Sequence, residues 1–183
     1  LDANPYLSVS MRDQFVPKMS YTYKYSNAAT KRHPITWETT VSEAGNVLAA
    51  AYAAAGESWS KENKEMFKNP FAQFVKIQTD FIKQWRLTEG SSVVAHVGAG
   101  AVYSFGNARQ APYYEQFYVG GANSVRAFNV RSIGPGKYHP QSSKLSYVEQ
   151  TGDLKFLANL EFRPHLFGSL YGAVFLDAGN VWT

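Results

Sequence analysis

Phe71–Phe105, FAQFVKIQTDFIKQWRLTEGSSVVAHVGAGAVYSF, is the stretch that decides the fold. In its first half, apolar or β-prone side chains take the odd positions Phe71, Val75, Ile77, Thr79, Phe81, Trp85 and Leu87. Lys76, Gln78, Asp80, Gln84 and Arg86 take the even ones. Beyond Glu89-Gly90 the pattern resumes, with Val93, Ala95, Val97, Ala99, Ala101, Tyr103 and Phe105 opposite Ser92, His96, Gly98, Gly100 and Ser104. Period two is the pattern of a strand, whose successive side chains point to opposite faces. The two runs therefore predict antiparallel strands joined at Glu89-Gly90 by a tight turn. Both are much longer than the roughly five or six residues usual in globular sheets.

The same alternation recurs on either side. Met19, Tyr21, Tyr23 and Tyr25 oppose Ser20, Thr22, Lys24 and Ser26, and Ile35, Trp37, Thr39 and Val41 alternate with Thr36, Glu38, Thr40 and Ser42. Leu154, Phe156, Ala158, Leu160 and Phe162 alternate with Asp153, Lys155, Asn159, Glu161 and Arg163, before a last run reaching Trp182. Strands are expected near 16–27, 34–48, 71–88, 91–106, 152–164 and 169–182, with long connections at 45–70 and 107–151. Val47–Ala55 has a composition that suits either a helix or an extension of the preceding strand.

Composition bounds the choice of class. Aromatic residues make up 15% of the chain and charged residues 17%, against about 25% charge in soluble domains. The longest near-continuous apolar run, Val47–Ala55, is far short of the roughly 20 residues of a spanning helix, and mean hydropathy is −0.31. The beginning, Leu1–Pro5, carries no recognisable secretory signal. Cysteine is absent, which excludes disulfides, thiol nucleophiles and thiolate metal sites. A dispersed net charge of +4 argues against a nucleic-acid partner.

Two all-β architectures fit: a membrane barrel with its apolar face toward lipid, or a soluble barrel or sandwich with that face inward. Alternation alone does not say which side meets water. Strand length, Tyr and Trp near strand ends, and short turns alternating with long loops favour the membrane.

The second long connection contains Phe117-Tyr118-Val119-Gly120-Gly121-Ala122-Asn123-Ser124-Val125-Arg126-Ala127-Phe128, then Arg131-Ser132-Ile133-Gly134-Pro135-Gly136. Gly152-Asp153 opens a strand through Asn159-Leu160-Glu161-Phe162, and Phe175-Leu176-Asp177-Ala178-Gly179-Asn180-Val181-Trp182 follows. In this order the three blocks resemble the outer-membrane assembly-factor superfamily, the barrels similar to BamA, TamA and the two-partner secretion transporters, which include the bacterial surface antigen domain. The first block resembles that family's sixth extracellular loop, whose signature is Val-Arg-Gly-Phe after a Gly-Gly pair; Ala127 stands where the signature has glycine. Val-Arg-Ala-Phe with Arg-Ser-Ile-Gly-Pro-Gly resembles the TamA-like and surface-antigen branch of Bacteroidetes more than the enterobacterial BamA.

The resemblance implies an antiparallel transmembrane β-barrel of roughly sixteen strands, of which this chain supplies about six and a long inward-folded loop, as an internal segment. An arginine must find carboxylates when confined, because its planar five-donor guanidinium does not lose its charge. By alternation Glu161 lies on the polar face, where it and Asp177 can reach a loop folded inward. The resemblance implies the same arrangement: Arg126, flanked by Val125 and Phe128, clamped on Glu161 and Asp177. Gly120, Gly121, Gly134 and Gly136 are expected to set the loop's turns. Gly98 and Gly100 on the polar face either make room for the loop or serve strand twist.

Catalytic chemistry is not expected. His33, His96, His139 and His165 are scattered over separate elements with no metal-ligand spacing and no adjacent nucleophile motif, so neither a metal nor a cofactor is expected. His96 alone reads as a solvated residue of the barrel interior. The function implied by the resemblance is assembly, insertion or translocation of proteins at the bacterial outer membrane. Its partners would be outer-membrane lipid, unfolded outer-membrane protein clients, and accessory periplasmic or lipoprotein subunits. In that family a seam between first and last strands offers unpaired backbone to incoming strands. A dedicated secretion transporter and a soluble ligand-binding barrel are the alternatives.

Overall fold

The computed structural model describes residues 14–58, 64–66, 68–138 and 150–183. In chain order the elements are β1 (Lys18–Ser26), β2 (Ile35–Ala44), helix α1 (Asn46–Ala54), β3 (Glu65–Met66), β4 (Asn69–Pro70), β5 (Phe74–Arg86), β6 (Ser92–Ser104), β7 (Leu154–Arg163), β8 (His165–Phe167), β9 (Leu170–Tyr171) and β10 (Val174–Trp182). One six-stranded sheet runs β1-β2-β5-β6-β7-β10, antiparallel throughout, and β3-β4 and β8-β9 are small separate hairpins. At about 3.3 Å per residue, the 13 residues each of β5 and β6 span roughly 40 Å.

The register carries each face across all six strands. Tyr25, Trp37, Phe81, Val97, Ala158 and Ala178 form one cross-strand row, and Tyr21, Val41, Ile77, Ala101, Leu154 and Trp182 form another. This face is uncovered: Tyr21 is 71% exposed and Leu176 72%. Soluble monomers rarely expose an apolar patch of more than a few hundred Å². On the opposite face, Thr22, Thr40, Gln78, Gly100, Lys155 and Val181 make one row, and Ser26, Thr36, Ile82, His96, Asn159 and Asp177 another.

The core lies on that second face. Phe74, Val102, Leu157 and Val181 from the strands close on Ala111, Phe117, Val119 and Val125, all from the connection between β6 and β7. The connection thus folds back over the sheet, and antiparallel bridges pair Phe117 with Gly152 and Val119 with Ile133.

Several element ends differ from the alternation-based expectation. β2 ends at Ala44 rather than near 48, because Gly45 turns the chain at φ 75°, where a Cβ would lie 2.2 Å from the Ala72 carbonyl oxygen. Val47–Ala55, open in sequence, falls mostly in α1. Phe71, Ala72 and Gln73 are buried before β5 begins. The final strand starts at Val174 rather than 169, since the chain first makes the β8-β9 hairpin, turning at Gly168 (φ 55°). No helix of the described residues is long and apolar enough to cross a membrane, which says nothing of a β-barrel.

Candidate functional site

The local fold of residues 120–128 presents Arg126 to the sheet. Ser124 N–H donates to the Gly121 carbonyl (3.0 Å), Gly120 N–H donates to Ser124 Oγ (3.2 Å), and Gly121 N–H donates to the Phe128 carbonyl (2.9 Å). These bonds close a compact loop tip. Gly120, at φ 109°, is required there: a Cβ would sit 2.1 Å from the Asn129 carbonyl oxygen. Val125 is buried, which pins the residue before Arg126 against the core.

Arg126 then reaches two strands. Its Nε donates to Asp177 Oδ2 (2.8 Å) and its Nη2 to Asp177 Oδ1 (2.8 Å), a side-on bidentate pair, while its backbone N–H donates to the same Oδ2 (3.0 Å). Nη1 donates to Glu161 Oε2. Glu161 also accepts from Arg163 Nε, and the guanidinium carbon lies 3.7 Å from the centre of the Phe175 ring. Charge-assisted bidentate bonds are among the strongest in proteins, and the ring face adds a cation–π contact. The bonds to Asp177 first, and then to Glu161, hold the Arg126 guanidinium still more firmly protonated than an ordinary arginine.

The cluster continues along the sheet. Asn159 Nδ2 donates to Asp177 Oδ1 (2.8 Å) and to the Ser124 carbonyl (2.7 Å), so one side chain holds both the carboxylate and the loop. Its Oδ1 is 3.0 Å from His96 Nδ1, and His96 Nε2 is 2.9 Å from Asp80 Oδ1. Gln78 donates to Asp80 Oδ2 (3.2 Å). Parity marked Asn159 and His96 only as polar; the pairing that would have found them is their shared cross-strand row with Asp177. His96 is thus bonded at both ring nitrogens rather than merely solvated.

Two more anchors hold the loop. Buried Glu115 accepts from Lys18 Nζ (2.6 Å) on β1 and from Lys76 Nζ (3.2 Å) on β5, and Lys76 also donates to the Glu115 carbonyl (2.7 Å). Phe117 lies over Gly100, where a Cβ would come within 2.5 Å of the ring. Gly98 instead faces Asp80, whose Oδ1 would be 2.8 Å from a Cβ. Gly121, Gly134 and Gly136 all sit at positive φ in the loop, and Gly134 and Gly136 lie beside Asn180 and Trp182 of β10. Phe128, by contrast, is exposed and makes no part of the core. His33 in the β1–β2 turn and His165 at the start of β8 lie away from this cluster, and His139 lies outside the described residues. Among the described residues no three His, Asp or Glu side chains gather as metal ligands would.

Residues 71–183, which hold the last four strands of the sheet, the loop and the Arg126 cluster, match the Omp85 superfamily domain. The chain belongs to the Omp85 superfamily. It is 31% identical over 88 residues to the outer membrane protein assembly factor BamA of Neisseria meningitidis serogroup B, an alignment covering 45% of this chain and 11% of that protein. The chain therefore spans about a tenth of the curated relative it matches. The structure of BamA from Haemophilus ducreyi lacking POTRA domains 1-3 overlays 90% of this chain and 49% of its own with TM-score 0.48 at 17% identity. As an Omp85 protein the chain is an outer-membrane β-barrel segment, so its uncovered apolar face is the lipid face and the loop-covered face points to the barrel interior. That orientation sets aside the soluble ligand-binding barrel, whose apolar face would point inward. The six strands of this Omp85 sheet are open, with β1 and β10 at the edges.

Proposed function

We propose that this Omp85 chain forms part of the wall and the inward-folded loop of a barrel that assembles or inserts proteins into the outer membrane, with Arg126 as the lock that seats the loop. The observation that carries the reading is the Arg126 cluster. A loop more than 30 residues from either carboxylate in sequence commits its guanidinium to Asp177, which is 3% exposed, and to Glu161, from two adjacent strands. Charge-assisted bidentate bonds of this kind are stronger than neutral hydrogen bonds and fix one geometry, which suits a contact that seats a long loop. The similarity to an outer membrane protein assembly factor supports assembly as the activity. No chemical step and no cofactor are part of it; the partners are outer-membrane lipid, unfolded barrel clients and accessory periplasmic or lipoprotein subunits. The branch within the superfamily is proposed as TamA-like, on the loop motif alone.

The test is reconstitution of the full-length protein in lipid vesicles with urea-denatured outer-membrane barrel proteins as clients. Faster folding of several unrelated clients than in protein-free vesicles is expected. Acceleration of none, or export of a single dedicated client, would replace assembly with the secretion-transporter reading.

A further inference from the structure

Resting on the reading of Arg126 as a lock, we infer that His96 is a doubly protonated positioning residue that ties the Arg126 cluster to β5, so that seating of the loop weakens as pH rises. The assignment follows from counting donors. Asn159 Nδ2 faces two groups that only accept, the Ser124 carbonyl and the Asp177 carboxylate, which fixes the amide orientation and turns Oδ1 toward His96. An amide oxygen only accepts, so the 3.0 Å contact requires a proton on His96 Nδ1. The Asp80 carboxylate also only accepts, so the 2.9 Å contact requires a proton on Nε2. An imidazole carrying both is a cation.

The carboxylate bonded to the ring, Asp80 of β5, suits that charge, while Lys155 of β7 opposes it. Around the same cavity stand Glu161 and Arg163 of β7 and Arg126 of the loop, and Asp177 of β10 is reached through Asn159. A cavity of about 290 Å³ bordered by His96, Arg126, Asn159 and Glu161 gives water and protons a way to the ring. Loss of the Nδ1 proton sets a lone pair against Asn159 Oδ1. The amide can answer only by turning, and it then releases Ser124 and Asp177 together. Loss of the Nε2 proton sets a lone pair against the Asp80 carboxylate. Either loss breaks the ladder between β5 and the loop, so the ladder is complete at lower pH and fails as pH rises through the histidine's titration.

The experiment is thiol labelling of the full-length protein in lipid vesicles, in a cysteine-free background. One cysteine is introduced as Val125→Cys, at a site 5% exposed, or as reference by Val130→Cys, at a site 56% exposed in the same loop. The ratio of the two labelling rates removes the intrinsic pH dependence of thiols. We expect a low ratio at about pH 5.5 that rises roughly tenfold at about pH 8.5. With His96→Gln the ratio should be high and insensitive to pH. A ratio independent of pH in the protein with His96 intact overturns the inference, as does His96→Gln keeping both the low ratio and its pH response. Retained heat-modifiable migration on gels shows that each variant has folded, and if His96→Gln has not, the pH response with His96 intact decides alone. Arg126→Glu separates the two readings: if it leaves the thiol of the Val125→Cys protein protected, the lock fails, whereas exposure by Arg126→Glu but not by His96→Gln removes only the role of His96.

Discussion

Ala127 follows the key arginine at φ 71°, in the left-handed region where a Cβ crowds the following carbonyl. The superfamily-like signature has glycine at this place, and the structure shows what glycine would relieve. Arg126 and its backbone N–H both face Asp177, and the chain leaves that geometry through the positive φ of Ala127. Ala127→Gly is therefore expected to stabilise the loop by about 1 kcal/mol, the relief of strain being partly offset by the greater freedom of glycine in the unfolded chain. A higher urea midpoint for the full-length protein in vesicles checks this. Arg126 was legible from the loop motif, Asp177 from its own block, and Glu161 from strand parity as well. Asn159 and His96 were not, because parity gives every residue on the polar face the same label and only register shows which neighbours meet.

At the scale of elements, the loop between β6 and β7 is fastened at separate points. Glu115 sits between lysines of β1 and β5, Phe117 lies on Gly100 of β6 while bridging Gly152, and Arg126 joins β7 and β10. Gly100→Val places a branched side chain where the Phe117 ring now lies. Overpacking of this kind costs about 1–3 kcal/mol, which is expected to lift the Phe117 region and speed tryptic cleavage at Arg131 roughly tenfold or more. Unchanged cleavage would show that Phe117 can re-seat without Gly100. Strands were the most legible elements, since alternation over 10 to 13 residues in β2, β5, β6 and β7 leaves no other period. Their ends were less so. The end of β2 depends on the Ala72 carbonyl pressing against Gly45, and the late start of β10 depends on a hairpin of only a few residues. The Glu115 anchor was invisible for a similar reason: its lysines lie 97 and 39 residues away in sequence.

For the whole molecule, one sheet separates two environments. Its uncovered face carries Tyr, Trp, Phe, Ile, Leu and Val in register across six strands, matching lipid, and its other face carries hydrogen-bonding side chains and a folded-back loop. Period-two alternation predicted two faces without saying which met water; covering of the polar face by the loop, together with membership of the Omp85 superfamily, assigns the apolar face to lipid. In the function proposed above, the Arg126 pair holds the loop within this barrel and assembly depends on it. The most direct measurement is the amount of folded outer-membrane barrel proteins in cells depleted of the native protein and supplied with full-length Arg126→Glu or the double variant Arg126→Glu/Asp177→Arg. Severe loss of assembled barrels is expected in the single variant and partial recovery in the double one. Native levels in the single variant would contradict it.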